Sequence, residues 1–143
     1  MDKYDQLVTA SVNYHENIDH HNISKVIHKY YEDEWVCVGL KDNSWYYFNN
    51  ELGKWFNNDD HILRIRIKKD IIELYEYFAN KYKLLKGDDP YSHVYDKFHR
   101  YNINCYSLIV KLTKENIFMN KIMKECKGLL YDDKFMDKLN TKT

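Results

Sequence analysis

Apolar positions recur along this chain with two different periods, and the change of period divides it. Ile23, Val26, Ile27 and Tyr30 fall at i, i+3, i+4 and i+7, which predicts a helix over residues 22–31 with Asn22 as its N-cap. Residues 35–56, WVCVGLKDNSWYYFNNELGKWF, then switch to β-branched and aromatic runs broken by turn residues. They predict three short antiparallel strands: residues 35–38, residues 45–48, and a third starting at Lys54. The turn chemistry lies at residues 41–44 and 49–53, with Gly53 free to take positive φ. Alternation places Trp45 and Tyr47 on one face and Tyr46 and Phe48 on the other.

After the strands the helical period returns. Asp59 or Asp60 caps a long helix predicted to reach Lys86, with Ile65, Ile72, Tyr75, Ala79 and Tyr82 along one side. Its first part, LRIRIKK at residues 63–69, alternates strictly, which offers a fourth strand as the alternative. Gly87-Asp88-Asp89-Pro90 is the clearest break, and residues 87–101 read as an exposed connection. Two more stripes follow, Cys105, Leu108, Ile109, Leu112 and then Phe118, Ile122, Cys126, Leu129, with Lys121, Lys124 and Lys127 away from the centre of the second. Gly128 relaxes the end of that helix, and residues 131–139 form a last short one. Residues 1–20 are polar and read as a flexible N-terminal arm, although Leu7, Val8 and Val12 offer a docking edge. The expected fold is α+β: a small three-stranded antiparallel meander packed on a predominantly helical domain, residues 21–140. A sheet of this size needs a helix against one face.

Composition sharpens this picture at a few points. The 143 residues fit one domain, and 4 Gly with 1 Pro argue against disorder and against a turn-rich all-β fold. Net charge is zero, so no global basic signature is present, but the charge is unevenly spread. Residues 1–34 carry a net of −4, residues 61–86 a net of +4, and residues 101–143 a net of +3. Cys37, Cys105 and Cys126 are odd in number, far apart and set in apolar patterns, which suits buried thiols in a reducing, intracellular compartment. No secretory signal and no apolar run near ~18 residues is present, so no membrane partner is expected.

Catalytic signatures are missing from the sequence. There is no G-x-x-x-x-G-K-[ST], G-x-G-x-x-G, C-x-x-C or nucleophile elbow. Asp59-Asp60, Asp88-Asp89 and Asp132-Asp133 sit where aspartate caps helices and closes turns. His15, His20 and His21 lack the spacing of a helical zinc site, and His93, Asp96 and His99 have nothing to position them as a metal-dependent nuclease centre. The expectation is therefore no catalytic residue, no metal and no cofactor in this chain.

Five stretches in order carry a resemblance: YEDEWVCV at residues 31–38, SWYYF at residues 44–48, KW at residues 54–55, NKIMKEC at residues 120–126 and KFMDKLN at residues 134–140. Together they resemble the domain lying just ahead of the superfamily 3 helicase in primase–helicases of poxviruses, giant viruses and some phages. In that family a primase domain precedes this region and an ATPase follows it, so the resemblance implies a replication setting, in a viral factory of the host cytoplasm or in the nucleus. Partners implied are DNA, single-stranded or forked, and primase and helicase domains or neighbouring protomers. Neither the primase carboxylates nor the Walker motifs occur here, so no catalytic residue carries over, and ATP binding belongs to the family only.

Two functions remain open from the sequence. In the first, the chain is a non-catalytic module that handles DNA or couples primase to a hexameric helicase. Arg64, Arg66, Lys68 and Lys69 are its candidate phosphate contacts, and Trp45, Tyr47 and Trp55 its candidate base-stacking residues. In the second, it is a protein-interaction or structural module without DNA affinity. Burial against the long helix is the competing reading of the aromatics, and a solvated face that of the basic cluster.

Overall fold

The computed structural model describes residues 2–140. One 3-10 turn, Asp2–Tyr4, leads into α1 (Asp5–Val12) and α2 (His20–Tyr31). Strands β1 (Trp35–Gly39), β2 (Ser44–Asn49) and β3 (Lys54–Asn58) follow. A long rod comes next, made of α3 (His61–Arg66), a π turn (Ile67–Ile71) and α4 (Ile72–Leu85). The chain continues through α5 (His93–Lys114), α6 (Asn116–Leu130) and α7 (Phe135–Asn140). This is the expected α+β arrangement, a predominantly helical domain carrying one antiparallel meander in the order β1-β2-β3.

Register fixes which aromatics face the helices. Trp35 pairs with Tyr47, Cys37 with Trp45, Tyr47 with Phe56 and Phe48 with Trp55. Trp35, Cys37 and Trp45 are fully buried on the inner face. Tyr46, Phe48 and Trp55 lie on the outer face, where Phe135 of α7 packs on Tyr46 and Trp55. Asn43 (φ +52°) closes the first turn and Gly53 (φ +66°) the second, the latter as its sequence predicts. At Gly39 the absent Cβ leaves room for the carboxylate of exposed Asp42 to fold back over the end of β1.

One buried cluster draws on α1 to α6 and on β1 and β2. The N-terminal residues belong to it, which corrects the expectation of a loosely attached arm. Val8 and Val12 are fully buried and Tyr4 nearly so. The polar residues that made the segment look mobile bond to the core: Ser11 Oγ lies 2.6 Å from Tyr75 Oη and Thr9 Oγ1 lies 2.9 Å from Tyr82 Oη. Asn104 of α5 donates to the carbonyls of Val12 and Tyr14. Three further boundaries differ from expectation. α2 starts at His20, capped by Asp19, whose carboxylate accepts from the His21 N–H (2.9 Å). α5 starts at His93, so most of the connection expected over residues 87–101 is helix. There Ser92 accepts from the Tyr95 N–H, and Phe98 and Tyr101 pack on Tyr82. Buried Asn102 and Asn104 interrupt the apolar pattern that would have shown this. α7 starts at Phe135 instead of residue 131, and Gly128 lies inside α6.

The LRIRIKK stretch is helix and not a fourth strand. Leu63, Ile67 and Ile71 are buried at four-residue spacing, whereas Ile65, expected on the core side, is 55% exposed. A strict spacing of four outruns the 3.6 residues of an α-helical turn, and the wider π turn takes up the difference. The same side of the rod therefore stays toward the core from Leu63 through Ile72, Tyr75, Ala79 and Tyr82. In the second C-terminal stripe Phe118, Ile122 and Cys126 are buried, joined by Met119 and Met123, and Leu130 lies deeper than Leu129.

Candidate nucleic-acid interface

The three aromatic residues singled out for base stacking do not form one platform. Trp45 is fully buried, edge-on to Trp35 at 6.2 Å, and its Nε1–H donates to Asn43 Oδ1 at 2.8 Å. Tyr47 is stacked between Trp35 (5.0 Å) and Phe56 (5.8 Å). Both residues build the core side of the sheet. Trp55 is on the opposite face, held edge-on by Phe48 (5.3 Å) and Phe135 (4.9 Å). It lines a groove with Val36, Phe135 and Leu139 whose charged members are Glu32, Asp33 and Lys138, so the groove carries no excess of positive charge for a phosphate backbone.

The two arginines are committed to the architecture. Asp60 is buried and accepts from Asn43 Nδ2 (3.1 Å) and Arg64 Nε (2.9 Å). Burial alone would raise its carboxyl, but those two bonds and the Arg64 charge hold it below the usual carboxylate range. Arg64 also donates to Asn120 Oδ1 of α6 at 2.9 Å. Trp45, Asn43, Asp60, Arg64 and Asn120 thus form a polar relay from the sheet core to α6. Arg66 donates to Glu34 (2.6 Å) and Asp70 (3.2 Å), with its guanidinium 5.2 Å from the centre of the Tyr31 ring. Tyr31 donates to Asp70 at 3.0 Å, and burial followed by the Asp70 charge pushes its phenol far up. Arg66 thereby fastens the end of α2 and the start of the sheet to the rod.

Lys68 and Lys69 are exposed. They are the members of the predicted basic cluster that remain turned to solvent. The structure adds three cations that the cluster did not include. Lys121 and Lys124 on α6 are exposed and Lys127 is half-buried; its charge helps to lower Asp60 and offsets part of the rise that burial imposes on the Cys37 thiol. Among the described residues these three lysines make no ion pair. Their i, i+3, i+6 spacing is visible in the sequence, but nothing there shows that Arg64 bridges to their helix.

The remaining candidates serve the fold. Cys105 and Cys126 are buried and their thiols are pushed up to about 12 by desolvation; Cys37 is raised for the same leading reason. Asp59 accepts from the His61 N–H, Asp89 from the Tyr91 N–H and Asp132 from the Lys134 N–H, which are capping and turn bonds. His99 stacks on Tyr95, with its Nδ1 3.4 Å from the Lys86 ammonium, an unfavourable neighbour for a metal ion. His20 packs on Phe118, and His21 lies 3.3 Å from Glu125. No group of three His, Cys, Asp or Glu side chains among the described residues gathers as metal ligands. No helix there is long and apolar enough to cross a membrane.

No family model matches this chain. It is similar to a protein of Acanthamoeba polyphaga mimivirus named "Putative helicase L207/L206", 28% identical over 124 residues. The match covers 85% of this chain and 12% of the mimivirus protein's length.

Proposed function

We propose that this chain is a helicase-flanking module of viral DNA replication, without a catalytic centre of its own, that handles DNA or couples a primase to the helicase ring. The observation that carries this reading is the size mismatch in the similarity. Nearly the whole of this domain corresponds to a small part of a much longer helicase-named viral protein. A fold of this length with its own core is the unit expected to recur inside a larger machine. The commitment of cysteines, capping aspartates and arginines to packing and ion pairs supports an accessory role. Lysines turned to solvent on the rod and α6 support contact with phosphate.

The test is fluorescence anisotropy with labelled single-stranded and forked DNA across about 50 to 200 mM salt, the range over which phosphate contacts weaken steeply. Binding that falls with salt supports DNA handling. Absence of binding at the lowest salt overturns it and leaves the second reading, a protein-interaction module. That reading is favoured by a different feature: Leu84 and Tyr91, beside the α4–α5 turn, are 83% and 94% exposed.

A further inference from the structure

The sequence places four candidate phosphate contacts at the start of the rod, and two of them, Arg64 and Arg66, are spent on carboxylates. The bond from Arg64 to Asn120 ties α6 to that segment at one point. Lys124 lies one turn from Asn120, with Lys121 and Lys127 beside it on the same helix. Of the acidic side chains nearest in sequence, Glu125 faces His21, Glu115 pairs with Lys111 and Asp132 with Lys138, while Asp133 is exposed beyond the end of α6. Asp60 is buried beneath Arg64.

We propose that Lys121, Lys124 and Lys127 of α6, continued across the Arg64–Asn120 bridge by Lys68 and Lys69, form the surface that binds a nucleic-acid phosphate backbone. This rests on the DNA-handling reading above and relocates its contacts from the arginines to α6. Lysine suits the task as a flexible point charge that meets phosphate without demanding one geometry. The arginines hold the two helical elements in register beneath it. Such a surface reads charge and not sequence, because none of these side chains is part of a fork aimed at a base edge.

The experiment compares the parent chain with Lys121→Gln/Lys124→Gln/Lys127→Gln and with a control of equal charge change, Lys3→Gln/Lys83→Gln/Lys97→Gln, on other elements. Binding of a labelled oligothymidylate is read across the same salt series, with circular dichroism to confirm that each variant is folded. The α6 variant is expected to lose at least about tenfold in affinity, and its plot of log affinity against log salt should flatten by about 2, at roughly 0.7 per lost single-strand contact. The control should keep the parent slope. Equal losses in both variants, or an unchanged α6 variant, overturn the proposal while leaving DNA binding intact. A parent chain that binds no DNA overturns both this surface and the DNA-handling reading.

Discussion

At the scale of single residues, Asp60 is the buried charge at the centre of the relay. It joins a turn residue, Asn43, to a helix residue, Arg64, and through them Trp45 to Asn120. Asp60→Ala leaves a half-buried guanidinium and an amide without their acceptor, a change expected to cost about 1–3 kcal/mol in urea unfolding. The pH dependence has a definite sign. Its folded-state carboxyl lies below that of an ordinary aspartate, so its contribution is present above the unfolded value and is lost as pH falls through the lower folded value. Acid unfolding of the parent should therefore steepen below about pH 4, and the Asp60→Asn variant should lack that part of the slope. The sequence shows Asp60 as one of two plausible caps. It does not show that Asp59 takes the capping bond and leaves Asp60 free for the relay, because that division depends on where Asn43 and Arg64 come to rest.

At the scale of elements, the meander was legible from its aromatic runs and turn residues, down to the positive φ at Gly53. Long, strongly patterned segments carry their own evidence. At the start of the rod the helix was legible but its buried side was not, because LRIRIKK also satisfies the period of a strand and its helical packing needs a π turn. The structure separates two isoleucines that look alike in sequence. Ile65→Ser should leave the thermal midpoint nearly unchanged, within about 0.5 kcal/mol for an exposed site. Ile67→Ala should cost about 2–5 kcal/mol, as for other large-to-small changes in a packed core. Similar effects at the two positions would contradict the assignment of the buried side.

At the scale of the whole molecule, the first dozen residues decide whether the core is closed. Deleting residues 1–12 removes Tyr4, Val8 and Val12 and leaves the hydroxyls of Tyr75 and Tyr82 without their partners. Each buried apolar side chain is worth roughly 1.5–3 kcal/mol, against a total stability of about 5–15 kcal/mol for a domain. The truncated chain should melt far lower or fail to fold, and a truncation that melts like the parent would restore the arm reading. The candidate site followed the same logic as the fold. Which residues are basic was plain from the sequence, and how the arginines are spent was not, since Glu34 reaches Arg66 and Asn120 reaches Arg64 only after the chain has folded.

The relay from Trp45 to Asn120 has a mechanical consequence. Apolar contacts between helices yield by sliding, whereas a line of short directional bonds resists both tilt and shear. The relay is such a strut, running from the floor of the sheet to the lysine-bearing helix, and the bond from the Asp132 N–H to the Cys37 carbonyl (3.1 Å) braces the same helix at its exit. A load placed on α6 therefore has a hydrogen-bonded path into the rod and the sheet.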